Sequence, residues 1–75
     1  MELRYREVRS GDFNDSRCIE TTDGEVVCYA SRTATDLKWY IISFLVNKSL
    51  EEFTRKKFPF DTFDELYAFV KVVAS

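Results

Sequence analysis

Trp39-Tyr40-Ile41-Ile42-Ser43-Phe44-Leu45-Val46 is the longest apolar stretch of the chain, interrupted only by Ser43, and the way it folds decides the architecture. Read with a 3.6-residue period from Ala34 to Val46, Leu37, Tyr40, Ile41, Phe44 and Leu45 share one side of a helix, while Trp39, Ile42 and Val46 share the other. The same residues, rich in aromatic and β-branched types, would also suit a buried strand. The upstream signal favours helix: Asp36 follows Thr33 by three residues, and side-chain oxygens so spaced satisfy the free amides of a first turn. The expectation is a helix with two apolar sides. One side can meet a sheet, and the other needs a second helix or a partner. A Trp among aliphatics is a residue mix typical of interfaces, which makes Trp39, Ile42 and Val46 the candidate partner-binding residues.

Towards the amino terminus, Leu3 to Arg9 alternates with a period near two and ends at Ser10-Gly11-Asp12, the pattern of an exposed strand followed by a turn. Arg17–Thr21 and Glu25–Ala30 flank Asp23-Gly24, a strong hairpin signal. The loop length fixes where Cys18 and Cys28 point. A three-residue turn, Thr22-Asp23-Gly24, sets them opposite each other, whereas a two-residue turn sends them to opposite faces. A disulfide and two thiols both stay open on this reading.

Towards the carboxyl terminus, Ser49-Leu50-Glu51-Glu52 has the spacing of a capping box, with a short helix to about Lys57. Pro59 breaks it, and Thr62-Phe63-Asp64-Glu65 repeats the spacing ahead of a last helix through Phe63, Leu66, Tyr67, Val70 and Ala74.

The chain has 75 residues, 45% hydrophobic and 16% aromatic, enough for one core over residues 1–75 without a metal. Its 11 basic and 13 acidic residues are mixed along the chain, for a net charge of −2, so there is no general attraction to phosphate or anionic lipid. Met1 to Glu7 carries charges where a secretory leader has an apolar core, which reads as a mature start. The eight-residue apolar run falls far short of the roughly 18 residues of a membrane-spanning helix. With two cysteines that suit strand interiors, the expectation is a cytoplasmic protein.

Histidine is absent, which removes the commonest general base near neutral pH and the commonest zinc ligand. Asp12, Asn14 and Ser16 alternate as the opening ligands of a calcium loop do, but Arg17 stands where such a loop needs Gly. Asp61, Asp64 and Glu65 sit where a helix start favours negative charge. No metal, no cofactor and no catalytic residue is expected. Arg55-Lys56-Lys57, with Phe53, Phe58 and Phe60 nearby, is the one basic cluster suited to single-stranded nucleic acid. Glu51 and Glu52, four residues ahead of Arg55 and Lys56, answer part of that charge within a helix.

These readings converge on an α+β domain, a small three-stranded antiparallel sheet followed by two or three helices packed on one face. The expected function is a non-catalytic protein-binding module or a homodimer. In size, aromatic content and lack of catalytic groups, the chain is similar in style, though not in any motif, to small accessory proteins of bacteriophages and mobile elements. By that analogy it would be an inhibitor or adaptor that occludes a host protein or defence complex. The alternative is a nucleic-acid-binding accessory protein using Arg55, Lys56 and Lys57, with Arg4, Arg6 and Arg9 in support.

Overall fold

The chain reverses direction three times to build one antiparallel sheet, β1 (Leu3–Glu7), β2 (Asp15–Thr21), β3 (Val26–Arg32) and β4 (Trp39–Phe44), in the spatial order β1-β2-β3-β4. The helix α1 (Phe63–Ala74) follows. This computed structural model describes residues 2–8, 15–45 and 58–74. The described residues thus hold four strands and one helix, which corrects the expected three strands with two or three helices. The short helix read from Ser49 to Lys57 lies outside the described residues.

The correction arises in the stretch around Trp39. Thr33 and Asp36 form a polar cluster, but the cluster closes a tight turn between β3 and β4 instead of opening a helix. The Thr33 hydroxyl donates to Asp36, the Lys38 amide donates to the same carboxylate at 3.0 Å, and Tyr40 Oη donates to its other oxygen at 2.5 Å. An Asp side chain satisfies turn amides as readily as helix amides, so the local signal was real and its context ambiguous. Leu37 closes the turn with φ of 59°, donating its amide to the Thr33 carbonyl at 3.0 Å.

Beyond the turn, β4 pairs with β3 as Arg32↔Trp39, Ser31↔Tyr40, Ala30↔Ile41, Tyr29↔Ser43 and Cys28↔Phe44, and the register shift leaves Ile42 as the extra residue of a bulge. Trp39, Ile41 and Phe44 enter the core. Their spacing of two and then three residues blurs the strand period and imitates a helical one.

A second bulge decides the cysteines. The β2–β3 turn is the three-residue Thr22-Asp23-Gly24. Gly24 adopts φ of 97° and donates to the Thr21 carbonyl at 3.0 Å, and the Thr21 amide donates to Glu25 at 2.8 Å. Carried through unbroken, that register would set Cys18 against Cys28. A shift between Ile19 and Glu20 makes Val27 the extra residue, so Cys28 faces Ile19 and Cys18 faces Tyr29. Side chains reverse with each single-residue step, and both cysteines are buried free thiols on opposite faces.

Helix α1 covers one face of the sheet. Thr62 caps it, its hydroxyl accepting from the Glu65 amide at 3.2 Å, while Glu65 reaches back to accept from the Asp61 amide at 3.2 Å. Phe63, Leu66 and Val70, spaced three and four apart, are its buried residues. They pack with Ile19, Val27, Cys28, Ala30, Trp39, Ile41 and Phe44 into the core. Phe60, just after Pro59, pairs with Trp39 on the outer side of β4 through amide-to-carbonyl bonds of 2.8 and 2.9 Å.

Candidate functional site

Glu7, Arg17, Ala30 and Ile41 form one cross-strand row on the helix side of the sheet. Ala30 is the small member, and the long Arg17 side chain lies among aromatic rings. Its guanidinium carbon is 4.4 Å from the centroid of Phe63, 5.0 Å from Trp39 and 5.2 Å from Tyr5. The aromatic cluster continues along α1. Tyr5 meets Phe63 and Tyr67 edge-on at 4.7 and 5.4 Å, Phe63 and Tyr67 stack at 5.8 Å, and Lys71 Nζ sits 4.8 Å from the Tyr67 centroid. Trp39 and Phe63 are buried, Arg17 and Tyr67 are half-buried, and Tyr5 is 47% exposed. The seam between β1 and α1 therefore shows an aromatic surface with a ring-held cation towards each end.

Charge pairing separates Arg17 and Lys71 from the other described cations. Arg4 donates to Glu20 Oε2 at 2.8 and 3.1 Å, and Arg6 donates to Oε1 at 2.6 Å. Arg32 pairs with Asp15, and Lys38 with Asp61 at 2.6 Å. Among the described residues Arg17 has no carboxylate partner and no hydrogen-bond acceptor, although Glu7 stands opposite it in the ladder. No buried side-chain nitrogen or oxygen among them lacks a partner, so its donors reach the surface. Three ring faces replace part of the water around this cation and leave its hydrogen-bonding edge unanswered.

Little else among the described residues offers chemistry. Burial pushes the Cys28 thiol up to about 12, and burial also raises Cys18, so neither is a ready thiolate. Asp61 and Glu65 are engaged in the ion pair and the helix cap. No group of three or more metal-ligating side chains occurs among the described residues, and no described helix is long and apolar enough to cross a membrane.

The residues singled out from sequence do not come together. Trp39 points into the core against Phe63, at 5.1 Å, whereas Ile42, in the β4 bulge, lines a shallow depression of about 150 Å³ on the opposite face with Val8, Ser16, Tyr29, Ser31 and Ser43. Val46, Arg9 and the cluster Arg55, Lys56 and Lys57 lie outside the described residues. Of the cations proposed beside that cluster, Arg4 and Arg6 share one carboxylate. What sequence reasoning missed is Arg17, which stood out only as the residue that spoils a calcium-loop pattern. Tyr5 in an alternating strand was visible, but its meeting with Arg17, Phe63 and Tyr67 depends on strand register and helix docking. No protein-family model matches the chain, and neither a curated protein nor a solved structure is detectably similar to it.

Proposed function

We propose that the protein is a binding module for another protein, and that its contact surface is the aromatic seam of Tyr5, Arg17 and Tyr67. The observation that supports this reading is the composition of the seam. Tyr and Arg are the residue types that dominate interface energetics, here backed by a buried Trp and Phe that hold them rigidly. A rigid aromatic surface loses little side-chain entropy when a partner covers it. The mode of action that fits is steric: a small domain covering part of a partner's surface, as an inhibitor or an adaptor does.

The test is affinity capture with the wild-type chain and with Tyr5→Ala, with far-UV spectra confirming that both are folded. Tyr5 is half exposed, so its loss is expected to weaken a captured partner by about 2 kcal/mol while leaving the domain folded. Partners captured equally by both chains would remove this seam as the contact surface.

A further inference from the structure

We infer that the partner group received at Arg17 is a carboxylate, carried on an acidic peptide segment next to an apolar or aromatic side chain; the inference rests on the seam being a protein-binding surface. Each feature of the site selects for this chemistry. A guanidinium offers a planar fork of donors that matches a carboxylate in a two-bond arrangement. In this chain the fork is positioned by Phe63, Trp39 and Tyr5, with ring centroids at 4.4, 5.0 and 5.2 Å, and no described residue occupies it. Glu20, by contrast, already accepts from both Arg4 and Arg6, so the opposite face shows how this fold answers an arginine when it does so internally.

The ring faces exclude water from one side of the cation, which strengthens a charge-assisted bond formed on its free side. Beside it, half-exposed Tyr5 provides the apolar contact for the neighbouring side chain of the peptide. Lys71, held over Tyr67 at 4.8 Å, places a second cation on the same seam. The chain's net charge is −2, so attraction of an acidic partner cannot come from a general field and must come from these local cations. Selectivity by contact is therefore expected, with modest dependence on salt.

The experiment is a peptide array in which every sequence containing Asp or Glu has a twin with Asn or Gln at those positions, followed by anisotropy titration of the retained peptides. It is probed with the wild-type chain, Arg17→Met, Arg17→Lys and Tyr5→Ala. Arg17→Met keeps an unbranched apolar cover over the rings while removing both the charge and the donor fork, and it is expected to stay folded, which far-UV spectra check. The expected result is retention of acidic peptides, loss of their amide twins, loss with Arg17→Met, and affinity about tenfold lower with Arg17→Lys, which keeps charge but not the fork.

Twins bound as well as acidic peptides, with both lost in Tyr5→Ala, would overturn the carboxylate while leaving the protein-binding reading standing. Binding indifferent to both Arg17→Met and Tyr5→Ala would remove the seam altogether. Retention of no peptide, or Arg17-dependent retention of a ten-residue oligothymidylate in place of acidic peptides, would also overturn the inference, the latter in favour of phosphate.

Discussion

Two guanidinium groups share the buried carboxylate of Glu20, and its pKa lies below the usual range, the Arg6 hydrogen bond contributing most and the Arg4 bonds next. The Thr33 hydroxyl, then Tyr40 and the Lys38 amide, hold Asp36 at about 2. Both folded-state values are depressed. The stability they contribute is therefore present above the unfolded carboxylate values and lost as pH falls through the folded ones. Melts followed by circular dichroism from about pH 7 to about pH 2 should show a midpoint that declines on acidification. Glu20→Gln and Asp36→Asn should each flatten part of that decline, and parallel curves for all three chains would contradict the assignment. Leu37 raises a different question, since it is 63% exposed and holds a left-handed backbone. A side chain there costs about 1 to 2 kcal/mol, and glycine escapes most of that at some expense in chain entropy. Leu37→Gly is expected to raise stability by about 0.5 kcal/mol, read as a higher urea midpoint; a lower midpoint would mean that Leu37 makes a stabilising contact.

Among the elements, β4 gives the sharpest test, because neighbouring residues of similar type lie on opposite faces. Ile41 is fully buried under α1, whereas Ile42 is half-buried in the depression on the other face. Ile41→Glu puts a charge without a partner into the core and is expected to unfold the domain, and Ile42→Glu is expected to cost far less, about 1 to 2 kcal/mol. On the helical reading of the sequence, Ile41 and Ile42 would each face a packed or partnered side, so the contrast in melting midpoints separates the two architectures. The reason that reading arose is local. The Ile42 bulge spoils the alternation of β4, and the Thr33–Asp36 pair looks like a cap. The signals that carried through were those that depend on a few adjacent residues: the Asp23-Gly24 turn between β2 and β3, and the Thr62-to-Glu65 spacing ahead of α1. The candidate site was not legible in this way, because Arg17 meets Tyr5, Trp39 and Phe63 only through the register of the whole sheet and the docking of the helix.

At the scale of the molecule, the described residues form one sheet with one helix covering one of its faces, and the strands follow one another in space as they do in sequence. The opposite face carries polar pairs, Glu20 with Arg4 and Arg6, and Ser16 with Ser31, hydroxyl to hydroxyl at 2.9 Å. This ordering has a kinetic consequence. Each hairpin closes a short loop at little entropic cost, so the three strand pairings can form early. The contact of Tyr5 with Phe63 and Tyr67 instead joins segments about sixty residues apart, and the cost of closure grows with that separation. The seam between β1 and α1 is thus expected to form after the folding barrier. In stopped-flow experiments Tyr5→Ala should speed unfolding and leave the refolding rate almost unchanged. The proposed partner surface would then be the last part of the molecule to assemble and the first to come apart, so a partner bound there would lengthen the lifetime of the folded state without altering how quickly it is reached.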